Sequence, residues 1–297
     1  MENKKIYWHL PGFYMFFNLN QVIINLMNTK PDLFRDDYAV GSVYGTFPGA
    51  IWNGGRAVFG TTQKSVMESV ITTYNRAGVP VRFTWTNSLL EEKHIYDTYC
   101  NLIMEVANNG KNQVLVNKPV LEEYLKKTYP DFEYISSTTK RITSVDDIKK
   151  ELERDYKLVV LDYDLNHDEE TLKALEPAAD RIEILVNEIC FPGCPRRKDH
   201  YEAESRAQLI FDAGNPFTCH NLKDKPCLAE SMKRPAFISA DDVAAYADRG
   251  FVNFKIVGRG LPPEMAKESY VYFLAKEDKR DEVSRLIESE LKKFVRK

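Results

Sequence analysis

Eight short apolar runs recur along this sequence, each the length of a buried parallel strand, and most are separated from the next by a segment of helical period. They cover residues 6 to 10, 39 to 44, 80 to 86, 113 to 117, 133 to 137, 158 to 163, 182 to 187 and 252 to 257. Helical stretches between them run over Lys64 to Asn75, Leu90 to Val106, Val120 to Lys127, Val145 to Asp155 and Glu169 to Leu175. Alternating β and α leaves two architectures, a closed parallel barrel or an open doubly wound sheet. No G-x-G-x-x-G opens the first helix, so a dinucleotide fold has no support and an α/β fold of the (β/α)8 TIM-like barrel type is expected. Local punctuation agrees: Ser144 to Asp147 and Ser239 to Asp242 read as capping boxes, and Gly78 and Gly110 sit where helices stop before a strand.

The barrel is expected to be one domain over residues 1–297, since no linker, repeat or low-complexity stretch interrupts it. Val283, Leu286, Ile287, Leu291, Phe294 and Val295 fall at helical spacing, which predicts a C-terminal helix over 279–297 packed on the barrel. The apolar stretch after Lys4-Lys5 is broken by His9, Pro11, Gly12 and Asn18, so it reads as a strand and helix of the mature fold rather than a signal peptide. No apolar run reaches the length that spans a membrane, and five cysteines in a chain this size argue against a disulfide framework. A cytoplasmic location is expected. With 41 Lys and Arg against 44 Asp and Glu, the net charge is −3, so nucleic acid could bind only through a local patch.

Residues 192 to 235 depart from the repeat: prolines at 192, 195, 216 and 226, little helical period, and thiols at both ends. This segment predicts an elaborated loop after strand seven, on the face where barrels do chemistry. Cys190, Cys194, Cys219 and Cys227 are spaced C-x3-C-x24-C-x7-C, and four soft ligands suit an iron–sulfur cubane or tetrahedral zinc, the latter with His200 or His220 as alternatives. Incidental buried thiols are the remaining reading. Cys100, beside Tyr99 and Leu102 on a helical stretch, stands apart. No G-x-S-x-G, H-E-x-x-H or C-x-x-x-C-x-x-C is present, position 197 being Arg.

Polar residues close several strands: Trp85 and Asn87, Asn117, Ser136 and Thr138, Asp162 and Asp164, Asn187 and Glu188, and Arg259. In a barrel these ends share one mouth, although Asp or Asn there also caps helices. Asn87, Asn117 and Asn187 are candidate substrate contacts; Glu188, His200 and Lys255 are candidate catalytic groups. Arg196 and Arg197, behind Cys194, could pair with a carboxylate or phosphate, or form a solvated face cancelled by Asp199, Glu202 and Glu204. Lys255 and Arg259 are four apart, so along a strand they point to one side, towards an anionic or carbonyl-bearing group. The segment Tyr44 to Arg56 is glycine-rich without a Walker pattern and predicts a long loop over the mouth, with Trp52 and Arg56 as ligand contacts.

Phe237-Ile-Ser-Ala-Asp-Asp-Val243, followed by Gly250-Phe-Val-Asn-Phe-Lys255-Ile-Val-Gly-Arg259, resembles the collagenase-like (U32) peptidase family. The family's last strand ends Lys-Ile-Glu-Gly-Arg, and here Val257 stands in place of Glu. The match lies mainly in the last third. The resemblance implies a TIM-like barrel, a [4Fe-4S] cluster on Cys190, Cys194, Cys219 and Cys227, and Lys255 and Arg259 at the mouth. It further implies oxygen-independent hydroxylation, or a related modification, of a small molecule or RNA base, served by an electron donor protein. Two other readings stay open: a zinc-stabilised binding protein without turnover, and the metal-dependent peptidase of the family name.

Overall fold

The computed structural model describes residues 5–214, 217–219 and 226–295. Each of the eight apolar runs forms a strand: β1 Ile6–Pro11, β2 Tyr38–Gly45, β3 Val81–Trp85, β4 Gln113–Val116, β5 Glu133–Ser136, β6 Leu158–Val160, β7 Ile182–Leu185 and β8 Asn253–Lys255. They pair in parallel in chain order, and β8 closes on β1 with Tyr7 opposite Asn253, which makes the (β/α)8 barrel. The helices are α1 Phe17–Thr29, α2 Lys64–Arg76, α3 Thr98–Ala107, α4 Pro119–Thr128, α5 Val145–Glu153, α6 Glu169–Leu175, α7 Arg197–Ile210, α8 Leu228–Ser231, α9 Asp242–Asp248, α10 Pro263–Leu274 and α11 Arg280–Val295.

The caps form as the sequence indicates. Ser144 Oγ accepts from the Asp147 amide at 3.2 Å, and Ser239 and Asp242 bond each other's amides at 3.1 Å. Gly78 and Gly110 take φ of +73° and +70°, the left-handed backbone that ends a helix. Trp8, fully buried, packs between strands and helices against Tyr38, Phe254 and Phe273 at 5.4 to 5.5 Å.

Three expectations are corrected. Leu90 to Val106 is not one helix: a 3-10 turn over Glu92–Tyr96 precedes α3, because Asp97 caps the Cys100 amide at 2.7 Å and restarts the helix there. The insertion after β7 is not wholly loop but carries the 14-residue α7, whose buried residues are Arg197, Ser205 and Gln208, so it has no apolar stripe to read. In α11, Val283 and Ile287 are buried but Phe294 is 43% exposed, so the packed stripe ends before it. The Val295 side chain lies outside the described residues.

Candidate active site at the barrel mouth

Where the strands end, a cavity of about 130 Å³ opens inside the ring. Tyr44, Arg56, Thr138, Tyr163, Glu188, Cys190, Arg197, His200, Tyr201, Cys219, Lys255 and Arg259 contribute to its walls. Lys255 and Arg259 both line the cavity, but β8 ends at Lys255 and Arg259 sits in the turn beyond it, so strand alternation does not account for their shared side. Glu188 Oε1 accepts from the amides of Ile189 and Cys190 at 2.9 and 3.0 Å, which fixes the carboxylate at the turn out of β7.

Beneath the cavity the barrel interior is charged. Arg82 on β3 reaches across to Glu183 on β7, whose other oxygen lies 3.1 Å from Lys255 Nζ. Arg82 Nη2 meets His9 Nδ1 at 3.1 Å, and its Nε donates to Gln113 Oε1 at 2.9 Å. A guanidinium can only donate, so His9 Nδ1 accepts and the imidazole proton sits on Nε2, 3.3 Å from Asn253 Oδ1. Burial pushes His9 down to about 3, outweighing the pull of Glu183. Burial alone would raise the Glu183 carboxyl, but Arg82 and Lys255 hold it well below the usual carboxylate range. Lys255 is pushed down to about 8 by burial, against the pull of Glu183 and with Arg82 adding to the fall. Its ammonium lies 4.3 Å from the centre of the Tyr44 ring.

Helix α7 roofs the mouth. Gln208 Oε1 accepts from the Val58 amide at 2.7 Å, Glu204 Oε2 from the Ala57 amide at 2.6 Å, and Ser205 bonds Asn87 and Ser88. The loop after β2 is thereby clamped over the cavity, as its glycine content suggests. Arg56 is on the cavity wall, with Nη1 3.3 Å from His200 Nε2. Trp52 is not: it is fully buried and donates to the His94 carbonyl at 2.7 Å.

Cys190, Cys194 and Cys219 line a second hollow of about 180 Å³ with Arg196, Arg197, His200 and Phe217. Cys190, Arg197, His200 and Cys219 border both spaces. Cys227 stands just before α8 and is not in that lining; residues 220–225, which join it to Cys219, lie outside the described residues, as do His220 and Pro216. Among the described residues no three His, Cys, Asp or Glu side chains are gathered tightly enough to hold a metal ion. The donor chemistry nevertheless fits a thiophilic centre: four thiols on one insertion, three of them on one hollow. Burial pushes the Cys190 thiol up to about 11, so an ionised Cys190 needs a cation beside it.

Several expected contacts have other work. Arg197 is 2% exposed and is neutralised by Asp162, at 2.5 and 2.9 Å, and by Asp164 at 2.9 Å, over the Tyr163 ring; it is not an exposed guanidinium awaiting a substrate. Arg196 lies over Phe217 at 4.6 Å, in the thiol hollow rather than the mouth. Asn87 donates to the carbonyls of Ile51 and Ser205, and Asn117 to Thr139 Oγ1, behind the cavity wall. Trp85 is core, its Nε1 facing Met104 Sδ at 3.1 Å, and Ser136 bonds Glu151. Asn187 ties β7 to β8: its Oδ1 accepts from the Val257 amide at 2.6 Å and its Nδ2 donates to the Val257 carbonyl at 3.1 Å. Asn187→Ala is expected to cost about 1–3 kcal/mol in urea unfolding, the penalty of orphaning a buried amide; an unchanged midpoint would contradict this structural role.

His9, Arg82, Glu183, Tyr44 and Tyr201 were not evident as site residues from the sequence. The available signal was a charged residue inside an apolar strand: Arg82 within Val-Arg-Phe-Thr-Trp and Glu183 within Ile-Glu-Ile-Leu.

No family model matches this sequence. An uncharacterized protease of Methanocaldococcus jannaschii, MJ1657, is 28% identical over 175 residues, covering 56% of this chain and 50% of that protein. The chain therefore spans about half the length of the curated relative it matches. The structure of the U32 peptidase Mk0906 superposes with a TM-score of 0.56 at 16% identity, over 89% of this chain and 96% of that one, a likeness of fold. The fold likeness is to a U32 peptidase, the family that the segment ending in Lys255 to Arg259 resembles.

Proposed function

We propose that this chain is a barrel enzyme whose cysteine insertion holds a [4Fe-4S] centre at the rim of the mouth, and that the cavity takes one ring or small group of a small-molecule or RNA-base substrate for oxygen-independent hydroxylation or a related modification. The observation that carries the reading is the shared wall: Cys190, His200 and Cys219 border both the thiol hollow and the mouth. A cavity of about 130 Å³ compares with the roughly 150 Å³ that accepts benzene, so it suits a single ring better than a folded polypeptide. When bound, such a cluster supplies one-electron chemistry, which calls for an electron donor protein. The chain's own residues orient the substrate. Stacking on Phe217 at 4.6 Å holds the His200 ring in place, with Glu204 Oε1 3.5 Å from its Nε2, and Glu188 presents a carboxylate fixed by two amides. Five cysteines in a chain large enough to build its own core fit a reducing compartment, and no helix among the described residues is long and apolar enough to cross a membrane.

A second reading has its own support. His200 lines the hollow together with three thiols, a donor set that also suits structural zinc in a protein without turnover. One similar protein is named a protease and the other a peptidase, and peptide cleavage is a third activity to assay. Metal and acid-labile sulfide analysis of anaerobically purified protein separates the first two. Iron and sulfide near four each per chain are expected, lost on replacing any one of Cys190, Cys194, Cys219 or Cys227 by Ser and retained in Cys100→Ser. One equivalent of zinc without sulfide would instead establish the second reading.

A further inference from the structure

The floor of the mouth holds more cations than carboxylates, although Glu188, on the same cavity wall, carries a negative charge engaged by the Ile189 and Cys190 amides. Arg82 and Lys255 are two cations sharing one carboxylate, Glu183. His9 supplies no negative charge, its imidazole being kept neutral by burial with Arg82 adding to the effect, and Tyr44, whose hydroxyl donates to the Ile256 carbonyl at 2.7 Å, has its ionisation opposed by burial. Arg259 brings a third positive charge. Its Nη1 is spent on neutral acceptors, Asn53 Oδ1, Gly54 O and Thr84 Oγ1 at 3.0 to 3.1 Å, while Nε and Nη2 make no hydrogen bond to the described residues. Gly55 leaves the Nη2 side open: a Cβ there would stand 3.2 Å from that nitrogen. The other guanidiniums of the mouth are answered, Arg197 by two aspartates and Arg56 by the Gly55 carbonyl with Glu204 nearby.

A guanidinium partly withdrawn from water beside other cations, with no carboxylate of its own, is stabilised by a bound anion. We propose that Lys255 and Arg259 form an oxyanion-binding floor, taking a ligand whose carboxylate or phosphate lies between Lys255 Nζ and the unused edge of Arg259. This rests on the mouth being the substrate site and is independent of which metal the thiols hold. A planar guanidinium edge accepts either oxyanion in a forked pair, whereas a neutral amide offers one oxygen and no charge.

Calorimetric titration of the purified full chain at low salt tests this with benzoate, phenyl phosphate and the neutral benzamide. At least one of the two anions is expected to bind while benzamide does not, and their relative affinities tell a carboxylate from a phosphate ester. Arg259→Lys should weaken that anion by about tenfold or more, and Lys255→Met should remove detectable binding. Lys198→Ala, on the outer face of α7, should leave it unchanged. Circular dichroism of each variant separates lost binding from lost fold, and Arg259→Lys, which keeps the charge, gives the reading should Lys255→Met fail to fold. Failure of both anions, equal binding of benzamide, or anion affinity indifferent to both mouth variants would overturn the proposal. A zinc result at the thiols would not touch it.

Discussion

Glu183→Ala is expected to lower stability by about 3–5 kcal/mol, a large share of what holds a domain folded. Glu183 and Arg82 are both fully buried, and Lys255 is nearly so. Removing the one carboxylate leaves two cations inside the barrel facing each other with nothing between them. Breaking a buried pair from one side costs far more than replacing it whole, because the abandoned charge cannot be rehydrated. The double variant Arg82→Met with Glu183→Leu should therefore be more stable than Glu183→Ala alone, with coupling on the order of 1–3 kcal/mol in a double-mutant cycle. Denaturant unfolding measures both. A Glu183→Ala midpoint within about 0.5 kcal/mol of the parent would mean that the network is not closed in solution.

Acid should unfold this barrel earlier than its carboxylates alone would dictate. The His9 pKa falls from 6.5 in the unfolded chain to about 3 in the barrel. Between those values the unfolded chain binds the proton and the folded chain does not, so stability drops as pH falls through the window, by about 1.4 kcal/mol per unit. Above about pH 4.5 the usual carboxylates contribute little, and the slope belongs to His9. Burial is the main origin of the shift, and protonating Nδ1 would in addition set an N–H against the N–H of Arg82 at 3.1 Å. His9→Gln should flatten stability between pH 6.5 and 4.5. A parent protein equally stable at both ends of that range would refute the neutral tautomer. Lys255 acts at the other end: its folded value of about 8 lies below 10.5, so stability rises as pH climbs between them.

The eight strands could be read from the sequence because each is a short apolar run bounded by turn or cap residues, and parallel strands buried on both faces carry that pattern. The charges inside them were not read as a network. Arg82 and Glu183 lie 101 residues apart, and within its own strand each looks like an ordinary polar interruption. Helix α7 was missed for the opposite reason: it packs through Ser205, Gln208 and Arg197, so its buried face is polar and leaves no apolar period. The thiols were legible as composition, and three of them do share a hollow. The strand-end asparagines were legible as polar groups at the right height, yet Asn87 and Asn187 serve neighbouring backbone instead of the cavity, a distinction that needs the three-dimensional partners.

In a ring of eight, β3 and β7 stand on opposite sides, so the Arg82–Glu183 pair ties the tube across one diameter. Directly above, α7 leaves the end of β7 and grips the loops after β2 and β3, a second tie along nearly the same line. A hoop laced twice across one axis is stiff along it and yields along the perpendicular, here from β1 to β5. Ser137, Thr138 and Thr139 of the β5 loop border the cavity at the yielding end. The two ties thus hold the β3–β7 diameter of the mouth at its charged floor and at its roof, and the three hydroxyls stand off that line.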